Sequence, residues 1–136
     1  MNELLKQLTE IPGVSGDEKE VRQAIKDLIE PHVDTWWVDP IGNLLALKKG
    51  TGNSDLKVMI DAHMDEVGFL ITDTSADGTF KFETVGGFDE RVLQGKMLQV
   101  GPKKIPGIIG GKPVHLSSTA ERRKIVPKGS LRIEIG

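Results

Sequence analysis

The sequence predicts an α/β chain in which a segment of helices and strands is followed by a small β-rich domain. Two helical patterns and then short apolar strands occupy the first 67 residues, whereas residues 68–136 carry short strands separated by glycine and proline. The chain has 136 residues, of which 38% are hydrophobic, and a formal net charge of −2. These values are typical of one globular domain or of parts of two, and the change in pattern places a boundary near residue 67.

The first half is predicted to contain two helices and three strands. Ser15 followed by Glu18 fits a capping box, in which Ser15 is the N-cap of the second helix. The apolar run from Leu56 to Ile60 is predicted to be a buried strand. In chain order, the elements are a helix that ends at Pro12, a helix that ends at Pro31, and strands over residues 33–38, 43–48 and 56–60.

Five short strands are predicted in the second half. Asp77-Gly78 indicates a tight hairpin between the first two of them. Many short strands broken by glycine and proline are typical of a small barrel or sandwich. The predicted strands cover residues 67–72, 79–85, 96–100, 107–110 and 131–135.

The candidate site is the polar run that follows the third predicted strand. In an extended chain Asp61, His63 and Asp65 point the same way. A histidine with a carboxylate two residues later can bind a metal through one ring nitrogen while the carboxylate accepts the proton of the other. His63 is therefore a candidate metal ligand, although a simple hydrogen bond to a neighbouring acid is the alternative. Asp61 either joins the site or binds backbone amides, and Glu66 either reaches a metal or has a structural role.

The other candidate motifs are weaker. His32 follows a helix end and His115 lies among β-like residues, so neither is favoured as a ligand. Residues 107–113 do not form a phosphate loop, because proline replaces both the first glycine and the Ser/Thr of that motif. The acids and the arginine of the segment 86–91 either pair with each other or face a partner subunit.

Composition excludes several classes of function. The chain has no cysteine, which excludes a disulfide framework and thiolate chemistry. The near-neutral charge gives no indication of a nucleic-acid or membrane surface. The amphipathic N-terminus lacks the apolar core of a signal peptide, and no apolar run is long enough to span a bilayer, so we expect a cytoplasmic location.

Five segments together resemble the glutamyl and deblocking aminopeptidases that form tetrahedral assemblies, a family sometimes labelled cellulase M or endoglucanase. The resemblance implies a cytosolic metalloaminopeptidase with two co-catalytic metals, zinc or cobalt, that removes N-terminal residues from peptides. It also implies that His63 is a metal ligand and that Asp65 serves catalysis by holding the imidazole in the correct tautomer. The matching segments are residues 11–18, 39–44, 61–68, 86–89 and 107–116.

The same resemblance implies an aminopeptidase-type α/β catalytic domain interrupted by a β-barrel-like inserted domain that serves subunit association. Residues 1–67 would be the N-terminal segment of the catalytic domain, and residues 68–136 most of the inserted domain, so a homo-oligomer is expected. Family members are more than twice this length, and their catalytic glutamate and remaining ligands lie after the inserted domain. We therefore expect a fragment that is inactive alone; the alternative is a non-catalytic assembly module. Half a catalytic domain would also leave apolar surface around residues 58–60 exposed.

Overall fold

The computed structural model describes residues 2–53, 55–120 and 123–136. The chain divides into two compact units, Met1–Glu66 (unit 1) and Val67–Gly136 (unit 2). Among the described residues, no helix is long and apolar enough to cross a membrane. The helices and strands of unit 1 are α1 (Asn2–Thr9), α2 (Lys19–Ile29), β1 (Thr35–Val38) and β2 (Leu44–Leu47). The strands of unit 2 are β3 (Gly68–Thr74), β4 (Phe80–Val85), β5 (Met97–Val100), β6 (Ile105–Gly110) and β7 (Arg132–Glu134).

Helix α2 begins later than the predicted capping box. Its N-cap is Glu18, which makes no side-chain bond to the helix. The Glu18 carboxylate instead accepts a hydrogen bond from the Gly16 amide at 2.5 Å, and Gly16 itself has a left-handed φ of +91°. The predicted N-cap role of Ser15 is therefore wrong, because a local turn separates this serine from the helix. Val21 is the one buried residue of α2.

Strands β1 and β2 form an antiparallel hairpin whose turn is fixed by a single acid. The Asp39 carboxylate accepts hydrogen bonds from the amides of Ile41 and Asn43, at 3.1 and 2.9 Å. The Arg22 guanidinium ties this turn to α2 by donating to the Gly42 carbonyl at 3.0 Å. These bonds account for the predicted turn between the two strands.

The apolar run from Leu56 to Ile60 does not form the predicted buried strand. The side chains of Val58, Met59 and Ile60 are 77%, 89% and 91% exposed, and the run belongs to no strand. Consecutive apolar residues place apolar groups on both faces of an extended segment, so the segment needs cover on both sides. The described residues of unit 1 supply no such cover. The prediction of burial is wrong, and the expectation of exposed apolar surface around residues 58–60 is confirmed.

Unit 2 is a five-stranded antiparallel sheet in the order β3-β4-β7-β6-β5. The predicted hairpin between β3 and β4 is present, and its turn contains Gly78 with a φ of +84°. The Asp77 carboxylate accepts hydrogen bonds from both the amide and the hydroxyl of Thr79, at 3.0 and 2.7 Å. The left-handed conformation of Gly78 and the hydrogen bonds from Thr79 to Asp77 reverse the chain direction, as a tight hairpin requires.

The core of unit 2 lies on one face of this sheet. Alternate residues of the strands point inward, so Ile109 is fully buried while its neighbour Ile108 is 38% exposed. Phe69 on one edge strand and Leu98 on the other pack against the same core, which means that the sheet is curled. The predicted fold class, an α/β segment followed by a small β-barrel-like domain, is confirmed, and the second part is a curled antiparallel sheet. The buried core residues are Phe82, Leu93, Ile109, Leu131 and Ile133.

Candidate metal-binding site

The imidazole of His63 is held by Asp65. The Nδ1 atom of His63 lies 3.0 Å from the Asp65 Oδ1 atom and 3.0 Å from the backbone carbonyl oxygen of the same residue. Both partners are acceptors, so Nδ1 must carry the proton, and in the neutral ring the lone pair then resides on Nε2. The His63 side chain is 85% exposed. In the neutral ring, this geometry leaves Nε2 as the nitrogen with the free lone pair on an exposed side chain, which is the tautomer that binds a metal through Nε2.

The Asp65 carboxylate is itself anchored at its other oxygen. The Ser15 hydroxyl donates a hydrogen bond to Asp65 Oδ2, while Oδ1 faces His63. The hydrogen bond from Ser15, followed by that from His63, holds the pKa of Asp65 below its usual range. A carboxylate that stays ionised keeps accepting from the imidazole, which fixes the tautomer of the ring.

Ser15 is brought next to Asp65 by backbone hydrogen bonds between two segments that are distant in the sequence. The segment of Gly13 and the segment of Glu66 form this tie. The Glu66 amide donates to the Gly13 carbonyl at 2.8 Å, and the Gly13 amide donates to Glu66 Oε1 at 3.3 Å. Val14 and Glu66 form a parallel bridge. Gly13 is buried, and a Cβ atom at this position would lie 2.8 Å from the Val21 Cγ1 atom. Glu66 thus has a structural role, and a glycine is needed where the segment passes over α2.

The remaining polar candidates do not join His63. Asp61 is exposed and makes no hydrogen bond within the described part of the chain. His32 ends the short 3₁₀ turn that follows α2, and His115 lies in another 3₁₀ turn in unit 2. Across residues 2–53, 55–120 and 123–136, no group of three histidines or acids is arranged to hold a metal ion.

The donor chemistry present fits part of a metal site. One imidazole nitrogen, oriented by a carboxylate, is a ligand that zinc and cobalt accept. A catalytic zinc site needs about three protein ligands, and the described residues supply one of them, His63.

In unit 2, Asp89 and Arg91 pair with each other. The Arg91 Nε atom donates to both carboxylate oxygens of Asp89, at 2.9 and 2.8 Å, and the Arg91 amide also donates to that carboxylate, at 3.0 Å. The guanidinium, and then the amide, hold the pKa of Asp89 below its usual range. Of the two alternatives for the segment 86–91, the structure displays the internal ion pair.

Comparison with known proteins identifies the family. Residues 42–136 match the model of the M42 glutamyl aminopeptidases, and residues 1–23 match a family described as AMPT. The chain therefore belongs to the M42 glutamyl aminopeptidase family, and the resemblance seen in the sequence is confirmed. A glutamyl aminopeptidase of Lactococcus lactis is 36% identical over 115 residues, which are 82% of this chain and 32% of that protein.

Solved structures of this family are similar over nearly the whole chain. The TET aminopeptidase of a marine sediment Thaumarchaeota archaeon has a TM-score of 0.88 and 37% identity, over 98% of this chain and 38% of that one. The Pyrococcus horikoshii TET1 peptidase, described as assembling into a tetrahedron or a large octahedral shell, has a TM-score of 0.82 and 39% identity, over 98% and 40%. The chain spans about two fifths of the length of the relatives it matches.

Ser15 is the site residue that sequence reasoning missed. The spacing of His63 and Asp65 is local, so the period of an extended chain indicates their pairing. Ser15 lies 50 residues before Asp65, and its contact depends on the tie between the Gly13 and Glu66 segments. A serine three residues before a glutamate indicates a helix cap, and no pattern in the sequence points to the acid it binds.

Proposed function

We propose that this chain is the N-terminal part of a metal-dependent aminopeptidase that removes N-terminal residues from peptides in the cytoplasm. The observation that carries the proposal is the His63 imidazole, held at Nδ1 by Asp65 with Nε2 exposed, in a chain of the M42 family. Residues 1–67 would contribute this ligand to a catalytic domain. Residues 68–136 would form the inserted domain.

The residues of this chain have defined tasks in the proposed enzyme. His63 would hold one of two co-catalytic zinc or cobalt ions through Nε2, and Asp65 would keep the Nδ1 proton in place and the ring oriented. When bound, such ions make a water molecule more acidic and polarise the scissile carbonyl. The general base and the remaining ligands would come from sequence outside these residues, since the described residues contain no group of three or more histidines or acids that could hold a metal ion. We therefore expect no peptidase activity from the 136 residues alone.

The proposed role of unit 2 is assembly of a homo-oligomer. Its curled sheet has its own core, and among the described residues β3 and β5 each pair with a strand on one side only. Unpaired strand edges are ready-made surfaces for association with another chain. The assembly described for the Pyrococcus horikoshii relative supports this role.

A chimera tests the catalytic part of the proposal. In the archaeal TET aminopeptidase, the matched 38% of the chain is replaced by these 136 residues. We expect the chimera to hydrolyse an aminoacyl anilide, and His63→Ala to lower kcat/KM by more than about 100-fold, because even loss of a ligand's orienting partner costs about 10–100-fold. His32→Ala is the matched control, since His32 ends the 3₁₀ turn that follows α2 and belongs to no group of possible metal ligands among the described residues.

Three outcomes would contradict the proposal. Full activity of the His63→Ala chimera would exclude His63 as a ligand. Turnover by the isolated 136 residues, abolished by His63→Ala, would show that they need nothing further. If the isolated chain binds no zinc and forms a discrete oligomer, and the correctly assembled chimera is inactive, the chain is a non-catalytic assembly module instead.

A further inference from the structure

We propose that Ser15 is a positioning residue of this site: its hydroxyl fixes the Asp65 carboxylate, and the carboxylate in turn fixes the tautomer and the orientation of the His63 ring. The inference rests on the proposed function for its consequence in the enzyme. Its structural content concerns three side chains of unit 1 and can be measured without a metal.

The two oxygens of Asp65 have separate partners. Oδ1 accepts from His63 Nδ1, and Oδ2 accepts from the Ser15 hydroxyl. The terminal torsion of an aspartate is broad, so a carboxylate bound at one oxygen still rotates. A second partner at the other oxygen removes this rotation. The side chain of Asp65 is 37% exposed, so water would take the place of Ser15 without fixing any direction.

Ser15 is placed by its backbone and has no other evident task. The Asp17 amide donates to the Val14 carbonyl at 2.7 Å, which closes a turn around Ser15. Gly16 follows with a left-handed φ of +91°, and the Val14–Glu66 bridge carries the turn to the site. The hydroxyl does not cap α2, which begins at Lys19 with Glu18 as its N-cap. A serine held in this way needs little further ordering to bind Asp65.

The ring tautomer is the decisive measurement. In the 136-residue chain, at a pH where imidazole is neutral, the ¹⁵N resonances of the His63 ring should report protonated Nδ1 and unprotonated Nε2. We expect Ser15→Ala to raise the fraction of the Nε2-protonated form, because the Asp65 carboxylate can then turn away from Nδ1 and only the Asp65 backbone carbonyl remains as an acceptor at that atom. Ser15→Cys, which keeps the size but donates only weakly, should do the same, and Ser15→Thr should restore the wild-type spectrum.

Two checks separate positioning from general damage. The Glu66 amide, bonded to the Gly13 carbonyl, should keep its chemical shift in the variants if the loop is intact. Ser130→Ala is the matched control, because Ser130 also donates its hydroxyl to a neighbouring group, the Pro127 carbonyl in unit 2. It should leave the His63 ring unchanged.

The outcomes distinguish this inference from the proposed function. An unchanged His63 tautomer in both Ser15→Ala and Ser15→Cys overturns the positioning role. If the tautomer changes but the His63→Ala chimera remains active, the positioning role stands and the proposed function fails. If both hold, Ser15→Ala in the chimera should weaken zinc affinity by about 10–100-fold, and Ser15→Thr should recover it.

Discussion

Gly13 packs against Val21 of α2 and is hydrogen-bonded to Glu66 next to the candidate site. Substitution of Gly13 therefore tests how this packing supports the site. A Cβ atom at this position would be 2.8 Å from Val21 Cγ1, about 1 Å closer than carbon atoms pack. Overpacking of this kind costs about 1–3 kcal/mol. Replacing glycine by alanine where the backbone permits it gains about 0.4–1 kcal/mol through the unfolded chain. We therefore expect Gly13→Ala to destabilise the loop by about 1 kcal/mol net.

Amide exchange measures this cost at the relevant bond. The Glu66 amide donates to the Gly13 carbonyl, so its exchange rate reports opening of the loop. A loss of about 1 kcal/mol should speed this exchange about fivefold. Gly50→Ala is the matched control, because its Cβ would meet nothing within 4 Å, and the rate should not rise.

A double mutant identifies the cause. Val21→Ala alone removes two buried carbons, at about 0.8 kcal/mol each. Adding Gly13→Ala should then cost less than in the wild type, because the new methyl group occupies the vacated space. A coupling of about 1 kcal/mol is expected, and costs that add within about 0.3–0.5 kcal/mol would refute the argument from packing.

Three further outcomes are expected. Ile109→Ala should lower the free energy of unfolding by about 2–5 kcal/mol, and Ile108→Ala, at the partly exposed neighbouring position, should lower it much less. Equal losses in thermal unfolding would contradict the observation that Ile109, and not Ile108, points into the core. Because Arg91 lowers the pKa of Asp89, their pair stabilises the fold above the unfolded pKa of about 3.9 and loses this effect as the pH falls through the lower folded value. Asp89→Asn should thus lower stability at neutral pH but not in strong acid, as pH-dependent melting would show. Replacing residues 58–60 by serine should reduce self-association in sedimentation without lowering Tm, and a lower Tm would mean that the segment is buried.

The second unit could be predicted from the sequence because its constraints are local. Alternating apolar residues, glycines and the Asp77-Gly78 turn indicate short antiparallel strands, and neighbours in the chain pair for most of the sheet. The central place of β7 is not local, since it joins β4 and β6 through Phe80–Ile133 and Ile109–Ile133 pairs. No repeating pattern of residues in the sequence indicates that β7 lies between β4 and β6.

The first unit shows where such reasoning ends. A pattern of apolar residues at Leu56–Ile60 indicates what a segment needs, namely burial on both faces, but not whether the neighbours that supply it are present. Likewise, Ser15 and Glu18 have the spacing of a capping box, yet each side chain binds elsewhere, Ser15 to Asp65 and Glu18 to the Gly16 amide. Local rules give the partners that a side chain prefers, and tertiary contacts decide among them.

The exposed residues 58–60 come shortly before the candidate ligand His63 in the chain. In the proposed enzyme, burial of this run would therefore affect where His63 lies. The tie at Glu66 fixes the site from its C-terminal side, through Gly13. On the N-terminal side, residues 58–60 are exposed and belong to no strand, and these three residues make no backbone hydrogen bond to the described part of the chain. Strands that cover this run would supply the missing restraint. His63 is therefore oriented by Asp65 within unit 1, whereas in the proposed enzyme its position relative to further ligands would depend on the elements that cover residues 58–60.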